Sequence, residues 1–215
     1  MTQKERQARA RQEIFRAAME EFGTHNYDEV TMESICANHG ISKGMMYHYY
    51  ANKDDLFLLC VQDTFQALGE EVARGAGKLE GQPPGDAIRN FFMIREYYFQ
   101  QHPKRRKVFE NVMFRAPQHL ENDIRELRRP IRELNRRFLG RNVEGMSLRD
   151  NLTPAVVMRY IECIDGIFPS LLRQYQAGGQ TEDLHSMLAA AGQILDMVLF
   201  GLMQKKPSGS GGKRE

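Results

Sequence analysis

No stretch of this chain alternates apolar and polar residues long enough to build a sheet, whereas apolar residues at helical spacing recur from end to end. Ile14, Phe15, Ala18 and Phe22 open the pattern, and Gly23 stops it. The fold class expected is therefore all-α, with about nine helices. Asn26-Tyr27 forms the next connection, with Asn26 a candidate for the left-handed conformation. Thr31 is placed to cap a short helix, 32–39, that carries Glu33 in its first turn and ends at Gly40. Ile41 is then a buried spacer, and Ser42 caps a second short helix.

Composition sets the outer bounds. The chain has 215 residues, 41% hydrophobic and 27% charged, which suits a folded domain or two with a real core. The first residues lack an apolar run behind their charges, and no later segment offers a span of apolar residues. Secretion and membrane insertion are not indicated, and a cytoplasmic protein is expected. Cys36, Cys60 and Cys163 are far apart and odd in number, and the six histidines show no ligand spacing, so neither a disulfide framework nor a metal site is expected, and no cofactor is implied.

Net charge is only +2, and its distribution is more informative. Residues 1–53 hold seven cations and seven acids, with Lys4, Arg6, Arg9 and Arg11 gathered at the start and Lys43 and Lys53 beside the second short helix. Between 104 and 141 there are twelve Lys or Arg against five acids, a solvated helix face or a basic rim for an anionic ligand.

Gly40-Ile41-Ser42-Lys43-Gly44 fits two incompatible patterns. As G-x-S-x-G it matches the nucleophile elbow of a serine hydrolase, but that elbow needs a strand before its serine, and here a helix precedes. Helix, glycine-containing turn and helix is instead the arrangement that lays its second helix in the major groove of DNA. Ile14, Ala17-Ala18, Phe22-Gly23, Tyr27, Thr31, Ile35, Ala37, residues 40–44, Tyr47-His48-Tyr49-Tyr50, Lys53 and Leu56 stand in an order and spacing that resemble the TetR family of transcriptional regulators over about residues 11–56. Cys36, Asn26 and Tyr50 are mild departures from its usual residues.

Residue type and place suggest roles. Lys43 donates to guanine acceptors, Met45 lies against a thymine methyl, and Gly44 lets the backbone approach. The resemblance implies that Tyr47, His48 and Tyr49 hold phosphates, with simple packing the alternative, above all for Tyr49 and Tyr50; Met46 belongs to the core. Lys53 opposes the dipole of the helix that Asn52 caps, so a phosphate site at that helix start is its expected reason, and Thr31 and Ser42 stand at similar starts. The basic arm is a disordered end or reaches an adjacent minor groove.

Three regions follow: a helix-turn-helix domain at 1–52, a helical ligand-binding and dimerisation domain at 53–204, and a disordered tail at 205–215. Residues 75–86 read as a linker, and helices are expected at 86–101, 104–115 and 117–140, with a kink at Pro130. Arg95 lies within the apolar stripe of the first of these. It either forms a structural ion pair with an acid of a neighbouring helix or snorkels to the surface, or it is the anchor for an anionic ligand lined by Phe91, Tyr98, His102 and Met113. Thr153-Pro154 starts a helix bearing Ile164 and Phe168, and a last helix carries Leu188, Ala191, Leu195 and Val198; two such helices from each of two chains would make a homodimer interface. The resemblance implies a homodimeric regulator bound to double-stranded operator DNA, a repressor released by a small-molecule inducer, with an activator or co-repressor-dependent regulator as the alternative and no enzyme activity.

Overall fold

The computed structural model describes residues 2–163 together with Met197 and Gly201. Among the described residues there are seven complete α-helices, two 3-10 turns and the beginning of a further helix at 154–163, and no strand. The helices are α1 (Gln3–Phe22), α2 (Met32–His39), α3 (Lys43–Tyr49), α4 (Lys53–Gly77), α5 (Pro84–Gln101), α6 (Pro103–Arg115) and α7 (Glu121–Glu144). The six residues expected at the dimer interface, Ile164, Phe168, Leu188, Ala191, Leu195 and Val198, lie outside the described residues, as does the tail.

The short helices form because their ends are satisfied. Thr31 Oγ1 accepts from the Ser34 N–H at 3.0 Å, Ser42 Oγ from Met45 at 3.2 Å and Asn52 Oδ1 from Asp55 at 2.9 Å, each taking up a donor that a helix start leaves unpaired. Gly40 closes α2 at φ +65°, a conformation that a side chain would strain, and its N–H returns to the Cys36 carbonyl. Ile35, Ile41 and Met46 point inward from this bend, at most 4% exposed, and meet Ile14, Ala18 and Phe22 of α1.

Several boundaries differ from the sequence reading, each for a local reason. The basic arm is not a loose end: Thr2 and Glu5 form a reciprocal capping box, so Lys4, Arg6, Arg9 and Arg11 belong to α1. Asn26 keeps an extended backbone, φ −72° and ψ 153°, and leads into the 3-10 turn Tyr27–Glu29, where its N–H is held by the Glu29 carboxylate. The linker shrinks to residues 78–83. Helix α4 continues through Gly75, whose missing side chain leaves room for Ile94 of α5, and α5 already begins at Pro84. Helix α7 starts after the 3-10 turn Gln118–Leu120 and runs through Pro130 to Glu144.

The main core cluster runs from the helix-turn-helix unit α1–α3, the reader, into the body that begins at α4, and Val143 with Val157 forms a small second cluster. Phe57 of α4 meets Phe22 and Tyr27 with ring centres 5.1 and 5.0 Å apart, which seats the start of α4 against the reader. Further along, Phe109 of α6 packs on Phe65 of α4 and Phe99 of α5, and Phe91 of α5 stacks on Phe138 of α7 at 4.0 Å.

Helix α6 is fastened to the reader by polar contacts. Asn111, 1% exposed, accepts from the Tyr27 N–H and donates to the carbonyls of Phe22 and His25, so one carboxamide serves three backbone groups where α1 ends. Lys107 donates to Asn26 Oδ1 at 2.9 Å, Lys104 pairs with Glu20, and Arg105 pairs with Asp63 of α4 at 2.8 Å. Gly23 completes the approach, since a Cβ there would lie 2.7 Å from Lys104 Cβ. Asn111→Ala leaves those backbone groups without their partner in a buried place, and the urea unfolding free energy should fall by about 1–3 kcal/mol. An unchanged unfolding midpoint would show that water takes over all three bonds.

Candidate nucleic-acid interface

Helix α3 presents a polar ridge. Ser42, Lys43, Gly44, Tyr47 and His48 are exposed, while Met46 is fully buried beneath them. Thr31 is exposed at the neighbouring start of α2. Met45 and Tyr49 are half-buried and pack against the core, with His48 edge-on to Tyr49 and the Arg11 guanidinium 5.5 Å from the Tyr49 ring centre. Tyr49 is half-buried, as is Tyr50 beside it, whose phenol is pushed up by burial.

Ser42 occupies the N-cap of α3 with a helix and a turn before it, so the strand that a nucleophile elbow requires is replaced by α2. The hydrolase reading of residues 40–44 fails on that geometry.

Lys53 has local partners that its sequence position did not reveal. Its ammonium donates to the carbonyls of Tyr27 and Val30, each at 3.1 Å, and sits 4.1 Å from the Tyr27 ring centre. The lysine therefore ties the start of α4 to the turn before α2, which offsets its unfavourable position in the dipole. Next to it, Asp54 accepts from the Tyr27 hydroxyl and from His119 Nε2 at 2.8 Å, a second tie between reader and body.

Of the residues expected to hold a ligand, Phe91, Arg95 and Tyr98 lie on α5, His102 stands just past its end, and Met113 lies on α6. Arg95, 8% exposed, donates to the Phe91 carbonyl at 2.8 Å and to Asn135 Oδ1 of α7 at 2.5 Å, with the Phe91 ring centre 4.7 Å from the guanidinium. Tyr98 packs on His102 with ring centres 4.5 Å apart; its hydroxyl is buried beside the Arg105 guanidinium without completing a hydrogen bond, and burial pushes its pKa up. Met113 joins the same core from α6. The basic stretch 104–141 divides likewise: Lys104, Arg105 and Lys107 are tied to α1, α4 and the turn after α1, while Arg129 and Arg136 pair with Glu126 and Glu162.

Comparison with known proteins bears first on the amino-terminal helices. The model described as "Bacterial regulatory proteins, tetR family" matches residues 14–60, the segment that carries the ridge and its supports. Over that segment the chain matches the TetR family. The chain is 25% identical over 204 residues to the HTH-type transcriptional repressor AcnR of Corynebacterium diphtheriae, covering 92% of the chain and 94% of that protein. It is 33% identical over 89 residues to the HTH-type transcriptional dual regulator CecR of Shigella flexneri, covering 39% of the chain and 40% of that protein. In fold it is similar to the fatty acid degradation regulator FadR of Bacillus halodurans, with a TM-score of 0.61 at 16% identity over 86% of this chain and 94% of that one. It is also similar to FadR of Thermus thermophilus, solved in complex with lauroyl-CoA, with a TM-score of 0.58 at 21% identity over 94% and 100% of the two chains.

Two polar residues escaped the sequence reading. Glu21 is buried on α1 and accepts from Asn38 at 2.9 Å, with His39 Nε2 at 3.0 Å, so it fixes the end of α2. Its signal was an acid one turn beyond Ala17-Ala18 on the apolar face. Asn111 gave the same kind of signal among Val108, Val112 and Met113. Among the described residues no cluster of metal-binding side chains occurs, and no helix is long and apolar enough to cross a membrane.

Burial alone would raise the Asp54 pKa, but hydrogen bonds from Tyr27 and His119, with the charges of His119 and Lys53, bring it below its ordinary value of 3.8. A depressed folded-state pKa contributes stability that is present above the ordinary value and lost as pH falls through the folded one. Acid unfolding of Asp54→Asn should therefore show a weaker pH dependence below about pH 4 than the parent chain. Parallel curves for the two proteins would remove Asp54 from the acid response.

Proposed function

We propose that the chain is a homodimeric repressor whose α3 ridge reads operator DNA and whose body binds a small molecule that releases it. The observation that carries this reading is the exposed line Lys43, Gly44, Tyr47, His48, backed by buried Met46 and held at a fixed angle by the left-handed bend at Gly40. A helix so presented fits the major groove, where Lys43 meets guanine acceptors, and Gly44 admits the backbone. Tyr47 and His48 take phosphates, together with the exposed starts of α2 at Thr31 and α3 at Ser42. Met45 and Tyr49, half-buried, contribute at the edges of this face. Lys53 adds its charge beside the duplex while holding the turn before α2.

The division of labour follows the residues: 1–52 read DNA, and 53–204 supply the dimer and the ligand site. The name of the Corynebacterium relative, a repressor matched along nearly its whole length, favours repression over activation. For the ligand we propose the α5 region, with Phe91, Tyr98, His102 and Met113 as apolar and aromatic lining. The buried Tyr98 hydroxyl is the polar group that a ligand would satisfy, and Arg95 is the cation nearest the Phe91 end. A ligand there shifts the reader only by as much as its affinity differs between the two states.

Selection of binding sites from random duplex DNA tests the central claim, and a two-fold-related motif with half-sites one turn or a multiple apart is the expected product. Lys43→Ala should then lose about 1–3 kcal/mol of discrimination at one base pair of each half-site. Lys53→Ala should weaken every sequence alike, reduce the salt slope by about 1 per lost phosphate contact and lower the unfolding midpoint. Absence of any selected motif, with DNA binding no stronger than that of an unrelated protein, overturns the reading.

A further inference from the structure

The reading surface contains one feature that works against binding a polyanion. Glu33 lies in the first turn of α2, exposed, and its carboxylate accepts a hydrogen bond from the Tyr47 hydroxyl of α3 at 3.2 Å. Both side chains are therefore on the side of the helix pair that carries the ridge. Glu33 and Lys43 also flank the Cys36 thiol closely enough to act on it with opposite sign, which puts acid and base on one small patch. The helix start stabilises the acid locally, since the dipole favours negative charge in a first turn. Against duplex DNA the same charge is repelled by the phosphates unless a base donor meets it.

Resting on the proposed DNA-reading role, we infer that Glu33 is a specificity-determining residue: it holds Tyr47 in the free protein and, on the operator, accepts the amino group of a cytosine in the major groove. Only cytosine and adenine offer donors there, and the adenine amino group stands beside the N7 acceptor, which repels a carboxylate. The residue discriminates mainly by penalty. Opposite guanine or thymine its charge is left facing phosphates and base acceptors without a donor, and opposite adenine the N7 acceptor beside the amino group repels it. Tyr47 is the partner that keeps the carboxylate satisfied off DNA, and its hydroxyl becomes available to a phosphate when Glu33 turns to the base. Neither side chain is buried, so their replacement leaves the fold in place.

The test uses the full chain and four proteins: the parent, Glu33→Ala, Glu33→Gln and Tyr47→Phe. Each is passed through selection from random duplex DNA, then titrated against the selected site and its single-base variants. The parent should require cytosine at one position of each half-site, by a factor on the order of ten. Glu33→Ala should bind every variant more tightly and lose that preference, and Glu33→Gln should move it to adenine, whose N6 and N7 a carboxamide matches. Tyr47→Phe should keep the cytosine preference while weakening all sites. If Glu33→Ala selects the same motif as the parent with the same base ratios, the inference fails while the DNA-reading role stands. If the parent selects no motif at all, the DNA-reading role itself fails.

Discussion

Helices of eight and seven residues do not hold themselves together in water, and α2 and α3 are of that length. Their persistence depends on what lies beneath them. Ile35, Ile41 and Met46 are buried against α1, and Thr31, Ser42 and Asn52 take up free N–H groups at three successive helix starts. The exposed face of α3 is therefore presented by burial on its opposite side rather than by the helix's own propensity. Glu21 extends the same support to the far end of α2 through Asn38 and His39. The reader is thus a small domain whose polar surface is positioned by a few apolar side chains and four oxygen acceptors.

The contact between reader and body is of two kinds. Phe57 supplies an aromatic joint with Phe22 and Tyr27, which is non-directional and tolerant. Around it lie directional ties: Asn111 to three backbone groups, Lys53 to two carbonyls, and Asp54 between Tyr27 and His119. Tyr27 takes part in all of them. Its ring, hydroxyl, amide and carbonyl are each engaged with a different neighbour. A single turn residue is in this way the meeting point of α4, α6 and the segment before α7.

Much of this was legible in the sequence. The caps at Thr31, Ser42 and Asn52, the stop at Gly40 and the inward course of Ile41 and Met46 follow from residue types whose preference is local. The long helices were visible as apolar stripes, but their ends were not. Glycines at 75 and 77 read as a break, yet both are helical, and at 75 the missing side chain is what leaves Ile94 its space. The start of α1 was missed although T-x-x-E at 2–5 is a capping box, because the surrounding charges suggested an unstructured arm. Lys53, Arg95 and Asp54 show the harder limit. Their partners are Tyr27 and Val30, Asn135, and His119, far away in the chain, and a single sequence carries no signal for pairings of that range.

The seat of Asn111 has a consequence for how the two parts of the molecule can move. One carboxamide matches an N–H and two carbonyls at fixed positions, and Gly23 lets the α6 backbone come too near for any side chain to intervene. Such a lock admits no gradual sliding, because a shift of an ångström or two forfeits all three bonds together and leaves α1 and α6 in collision or apart. Displacement of α6 must then either carry the whole reader with it as a rigid passenger or snap the seat open, and nothing in between is stable.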